Sequence, residues 1–138
     1  SGLCGIIRTR DLLGLKTEVI GVATEGAPAH ALSYAAGQVV TTASSDTIAD
    51  GMATRIPDPD ALAMILEGAA RIVTVSDKEI ADAVRIYYSD THNLAEGAGA
   101  AALAALLQER ERQQGRRVGV ILSGGNIDLS LYLKLLQG

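Results

Sequence analysis

The chain has no phenylalanine and no tryptophan, and its aromatic content is four tyrosines. Its interior must therefore be packed from Leu, Ile, Val and Ala, whose small side chains demand close approach between elements. The single cysteine, Cys4, excludes an internal disulfide and is expected to serve as a small buried hydrophobe. Basic residues are outnumbered, 12 against 16 acidic, for a formal net charge of −4. That balance argues against a nucleic-acid-binding surface. The one basic run, Arg110 to Arg117, is bordered by Glu109 and broken by Glu111, and reads as a solvated helix end. No apolar stretch approaches the roughly 20 residues that a membrane-spanning helix needs. No membrane partner is expected, and without a signal-like opening stretch the expected location is cytoplasmic.

What is present is apolar and regularly punctuated. With 138 residues, 48% of them hydrophobic and 20% charged, the composition suits one globular domain, 1–138. Leu3, Ile6, Ile7, Leu12 and Leu13 predict a first helix stopped by Gly14. Glu18 to Ala23 reads as a short buried strand. Pro28 suits the first turn of a helix that runs through Ala35 and stops at Gly37. The β-branched run Val39-Val40-Thr41-Thr42 is a further strand candidate. Asp60 is expected to cap a helix holding Leu62, Met64, Ile65 and Leu66. Ile72 to Val75 is a strand, and Ser76-Asp77-Lys78-Glu79 is a capping box opening the next helix. The Ala-rich run from Ala98 predicts a long helix ended by Gly115, and Ile127 to Leu136 a final one. His30 is expected to face solvent, and His92 to belong to a helix end.

The most informative stretch is Val118-Gly119-Val120-Ile121-Leu122 running into Ser123-Gly124-Gly125-Asn126. Its first five residues read as a strand buried on both faces, as central parallel strands are. A hydroxyl and two glycines at the carboxyl end of such a strand lie where open α/β sheets bind ligands. A plain Gly-rich turn accounts for the tetrapeptide equally well. Alternating strands and helices predict an α/β fold, three-layer, with a mostly parallel sheet and helices on both faces.

Ser123-Gly124-Gly125-Asn126-Ile127-Asp128 after an apolar strand resembles a motif of the serine/threonine dehydratases, enzymes dependent on pyridoxal 5'-phosphate (PLP) with the tryptophan-synthase-β-like fold. Three further stretches match in the same order: Ile20-Gly21-Val22, Thr47-Ile48-Ala49-Asp50-Gly51 and Ala95-Glu96-Gly97-Ala98-Gly99-Ala100. The resemblance covers the whole chain, which covers less than half of the family's usual length. It implies that 1–138 is the later part of a fold-type-II catalytic domain, a single partial domain without a regulatory domain.

The resemblance implies roles for particular residues. Ser1, Gly2 and Leu3 would be the end of the loop that cradles the cofactor phosphate. Gly51 would line the cofactor ring, Glu96 would lie beside the pocket, and Ser123 would meet the pyridine nitrogen with Gly124 next to it. Some relatives bind a divalent metal after the strand that matches Ile20–Val22. The corresponding positions here are Ala23, Ala27 and Ala29, so no metal is expected there. The implied reaction is β-elimination of L-threonine or L-serine to a 2-oxo acid and ammonia. It requires a lysine that holds PLP as a Schiff base. Lys16, Lys78 and Lys134 lack that context and read as surface residues, so no catalytic residue is assigned and the isolated chain is expected to be inactive. The expected partners are an amino-acid substrate, the N-terminal part of the same enzyme, and further copies in a homo-oligomer. A non-catalytic module of the same fold stays open, as do serine racemase, diaminopropionate ammonia-lyase and threonine synthase. A Rossmann-type nucleotide site is disfavoured, because no G-x-G-x-x-G follows a strand.

Overall fold

The computed structural model describes residues 2–138. Its elements are α1 (Gly2–Leu12), β1 (Ile20–Thr24), α2 (Ala29–Ala36), α3 (Pro59–Gly68), β2 (Arg71–Val75), α4 (Asp77–Thr91), α5 (Gly97–Gln108) and α6 (Leu129–Gln137), with a 3-10 turn at Asp50–Met52. β1 and β2 pair in parallel, with Ile20 opposite Arg71 and Thr24 opposite Val75. Successive residues of a strand face opposite ways. On β2, Val73 and Val75 accordingly join a core with Ile80, Val84, Ala101, Ala104, Tyr132 and Leu135. Ile72 points the other way, towards Ile7, Val19 and Ile65. Helices α4, α5 and α6 thus cover one face of the sheet and α1 and α3 the other. The fold is α/β with helices on both faces of a parallel sheet.

Small residues set the spacing. Ala100, Ala101, Ala104 and Ala105 of α5 are all buried, which lets α5 lie close against α4 and the strands. The capping box forms as expected, with Glu79 N–H donating to Ser76 Oγ at 3.3 Å and Ser76 N–H donating to Glu79 Oε2 at 2.7 Å. Gly37 ends α2 in the left-handed region (φ 67°).

Several expectations need correction. Val118–Leu122 joins no ladder, and Val118 and Ile121 are 43% and 58% exposed rather than buried on both faces. A strand needs a paired neighbour, and among the described residues none runs beside it. Between it and β1 lies a cleft of about 480 Å³, lined by Ile20, Val22, Ala102, Leu106, Val118 and Val120. Val39–Thr42 is irregular as well. Its amides bond elsewhere, Val40 N–H to Ser33 Oγ at 2.8 Å and Thr42 N–H to Arg55 O at 3.0 Å. The cap of α3 is Asp58, which accepts from Ala61 N–H at 2.8 Å, because Pro59 takes the first helical position and leaves Asp60 inside the first turn.

α5 ends at Gln108, and turns continue to Gly115. Beyond Gln108 the charged run offers no apolar face to pack, and Glu109 is drawn onto Arg71 at 2.5 Å. Cys4 is half-buried, and the final helix starts two residues later than expected, at Leu129. Among the described residues, no helix is long and apolar enough to cross a membrane.

Candidate functional site

The carboxyl ends of β1 and β2 open onto a rim formed by the head of α1, the Thr47–Met52 segment, the head of α5 and the Ser123–Asn126 turn. Glu96 joins the last two. It is the N-cap of α5, and its side chain caps nothing within its own helix. Instead the carboxylate accepts from Asn126 N–H at 2.8 Å, while Glu96 N–H donates to Gly124 O at 3.1 Å. The turn after Leu122 is therefore clasped to α5 by one side-chain and one backbone bond. The approach is close. A methyl group on Gly99 would fall 2.3 Å from Gly124 O, and one on Gly124 would fall 2.8 Å from Glu96 Oε1. No residue with a Cβ fits this contact unshifted.

Gly51 sits beside the same clasp. A methyl placed there would lie 3.0 Å from the Ala98 Cβ and 3.8 Å from Glu96 Oε1, so its backbone runs along the head of α5. Gly51 also lines a cavity of about 260 Å³ with Leu3, Met52, His30, Ala23 and Ala27. His30 is thus half-buried on the cavity wall, a correction to the solvent-facing expectation, and burial holds its pKa below the ordinary value. Ala23, Ala27 and Ala29 are buried methyl-bearing positions.

The structure brings Gly51, Glu96 and Gly124 into one cluster and puts Leu3 on the cavity shared with Gly51. Ser123 stands next to the cluster with its side chain exposed, and Gly2, also exposed, is the first residue of α1. Ser1 lies outside the described residues. His92 ends α4 in a left-handed conformation (φ 55°) with Nδ1 3.3 Å from Tyr88 O, away from this cluster's contacts. Lys16, Lys78 and Lys134 are exposed. Sequence reasoning missed the Asn126 amide, the Gly99 contact and Asp77, whose carboxylate accepts from the Thr47 hydroxyl and the Ile48 backbone N–H. The Glu96-x-x-Gly99 spacing was visible, but only the fold shows what it faces.

The model of the pyridoxal-phosphate dependent enzymes matches residues 1–124. The chain belongs to that family. It is 32% identical over 122 residues to the L-threonine ammonia-lyase of Thermotoga maritima, covering 88% of this chain and 30% of that protein. It is 33% identical over 120 residues to the serine racemase of Schizosaccharomyces pombe, covering 87% of this chain and 37% of that one. Among solved structures it superposes on a T.th. threonine deaminase with a TM-score of 0.85 at 31% identity, covering 92% of this chain and 46% of that one. Threonine deaminase isoform 2 of Solanum lycopersicum, in its processed form, gives 0.89 at 28% identity, covering 98% and 38%. The chain thus spans between about a third and a half of the length of these relatives.

The residues present fit part of the cofactor. The first turn of α1 carries no acidic residue, and a Cβ on Gly2 or Gly5 would meet nothing within 4 Å, so no carboxylate of that turn opposes a phosphate at the positive end of the helix. Gly51 brings backbone without a side chain to the wall of the cavity it shares with Leu3. The fit stops at the covalent anchor, since none of the chain's lysines lies among the clustered residues.

Proposed function

We propose that this chain is the later part of the catalytic domain of a PLP-dependent ammonia-lyase that converts L-threonine or L-serine into a 2-oxo acid and ammonia. The observation that carries the reading is the clasp between Glu96 and the Ser123–Asn126 turn, set beside Gly51 at the carboxyl ends of the strands. The threonine ammonia-lyase of Thermotoga maritima and the threonine deaminase neighbours support the substrate class.

The cofactor, when bound, supplies the electron sink for charge that develops at the amino acid's α-carbon. The chain's residues bind and orient. The amides of Gly2 and Leu3 at the head of α1 would hold the phosphate. Gly51, having no side chain, would let its backbone line the ring. Ser123 would share a neutral hydrogen bond with the ring nitrogen, which a hydroxyl can donate without imposing a charge. Glu96 holds Gly124 and Asn126, and through them keeps the Ser123 hydroxyl aimed. The Schiff-base lysine and the grip on the substrate carboxylate come from the N-terminal part of the enzyme, which is this chain's partner. A strand of that part would sit in the cleft between β1 and Val118–Val120.

The test is to produce the chain together with its N-terminal part and to follow 2-oxo acid formation from L-threonine and L-serine. Release of 2-oxobutyrate or pyruvate with ammonia is the expected result. The serine racemase of Schizosaccharomyces pombe, at 33% identity, favours one second reading. Formation of D-serine without a 2-oxo acid in the same assay would establish racemisation in place of elimination.

A further inference from the structure

We propose that Asp77 is a positioning residue for the cofactor site, holding the Thr47–Met52 segment so that Gly51 keeps its place on the rim. The first turn of α4 does not need this carboxylate. Ser76 and Glu79 already satisfy each other in the capping box, and Asp77 follows as the first helical residue. Its two oxygens reach across to a different part of the chain. Oδ1 accepts from the Thr47 hydroxyl at 2.5 Å, and Oδ2 accepts from Ile48 N–H at 3.0 Å. Thr47 Oγ1 in turn accepts from Ala49 N–H at 3.1 Å, so one carboxylate orders three consecutive residues.

The order passes on along the backbone. Ala49 is fully buried, and Met52 N–H donates to Ala49 O at 2.8 Å, closing the 3-10 turn that contains Gly51. On the other side Ile48 O lies so near Gly97 that a methyl there would fall at 2.6 Å. The segment is therefore pinned between the heads of α4 and α5. Between α2 and α3 the chain forms no other regular element than this 3-10 turn, so its placement depends on such pins. A carboxylate at a helix N-terminus is stabilised by the helix dipole, and its hydrogen bonds to neutral donors are charge-assisted. Glu96 does the same for the Ser123 turn from the head of α5. The two walls of the site are thus each held by an acid at the start of a helix.

The cofactor-facing half of this inference rests on the proposed function, whereas the hold of Asp77 on the segment does not. The experiment uses the complete enzyme polypeptide and the variants Asp77→Asn, Thr47→Val and Thr47→Ser. Without cofactor, amide hydrogen exchange is read at Ile48, Ala49 and Met52 and, as internal reference, at Val73 and Val75 of β2. With cofactor, PLP affinity is read by absorbance titration. Asparagine keeps one acceptor oxygen but turns an amide donor towards the Ile48 N–H. We expect Asp77→Asn and Thr47→Val to speed exchange in the segment by about tenfold or more, the scale of a lost charge-assisted hydrogen bond. The β2 amides should be unchanged, and PLP affinity should fall about tenfold, with Thr47→Ser restoring both. Unchanged segment exchange in Asp77→Asn would overturn the hold. Equal acceleration in β2 would reduce Asp77 to general stability and overturn the proposal. Faster segment exchange with unaltered PLP affinity would overturn the positioning role towards the cofactor. A wild-type enzyme that binds no PLP would overturn the proposed function, while the exchange readout still decides whether Asp77 holds the segment.

Discussion

The Glu96 carboxylate accepts a hydrogen bond from the backbone N–H of Asn126 at 2.8 Å, across 30 residues of sequence. It ties the start of α5 to the turn that presents Ser123. Removing the acceptor leaves a backbone donor without its charged partner, a loss of about 1–3 kcal/mol. Glu96→Ala should therefore loosen the turn and weaken PLP retention in the complete enzyme by about tenfold or more. Glu96→Gln, which keeps one acceptor oxygen, should lose much less. Cofactor release followed by fluorescence checks both, and equal loss in the two variants would remove the hydrogen bond from the account.

Gly99 presses on the same turn from below. A methyl group there would fall 2.3 Å from Gly124 O, well inside contact distance. Gly99→Ala should displace residues 123–126 and destabilise the enzyme by about 1–3 kcal/mol, as overpacking does. Denaturant unfolding measures the cost. A variant as stable as wild type would mean that the turn has room to move.

At the opposite, amino ends of the strands, charges rather than glycines hold the elements together. Arg71 pairs with Glu109 at 2.5 Å and Glu18 at 2.6 Å, and Arg116 pairs with Glu18 at 2.8 Å. The hydrogen bond from Arg71 holds the Glu109 carboxyl below its ordinary 4.5, and that from the backbone of Ser76 does the same for Glu79. A depressed acid contributes stability that is full above its unfolded value and lost as pH falls through the folded one. The contribution of these two acids should therefore decline progressively as pH drops below about 4.5. Arg71→Met should flatten part of that decline, because the Glu79 contribution remains. Urea unfolding at stepped pH tests this, and an unchanged acid slope in Arg71→Met would contradict it.

The legible features were those decided by local chemistry. The Ser76 capping box, the stops at Gly14 and Gly37 and the strand at Ile72–Val75 depend on residues a few positions apart, and all stand in the structure. Val118–Leu122 has the composition of a central strand, yet a strand is completed by its neighbours, and among the described residues the ladder holds β1 and β2. The site behaved likewise. The motifs around Gly51, Glu96 and Ser123 could be found by pattern, and Gly51, Glu96 and Gly124 do meet. Asp77 was hidden because a first-turn acid already has a local explanation, and its long-range partners Thr47 and Ile48 leave no trace in spacing.

The neutral contact assigned to Ser123 can be tested by charge. An aspartate at that position would be anionic and would raise the pKa of the ring nitrogen. Ser123→Asp in the complete enzyme should slow 2-oxo acid formation and alter the absorbance of the bound cofactor. Retained kcat together with an unchanged spectrum would place Ser123 away from the ring nitrogen.

On the proposed function, this chain supplies contacts to PLP and the covalent anchor lies in the N-terminal part of the enzyme. The most direct measurement is borohydride reduction with PLP followed by peptide mass spectrometry, on the chain alone and on the chain joined with that part. No stoichiometric adduct is expected at Lys16, Lys78 or Lys134 in either sample, and a single adduct is expected on a lysine of the N-terminal part in the joined enzyme. A stoichiometric adduct at one of the chain's own three lysines, accompanied by 2-oxo acid formation from the chain alone, would contradict that assignment.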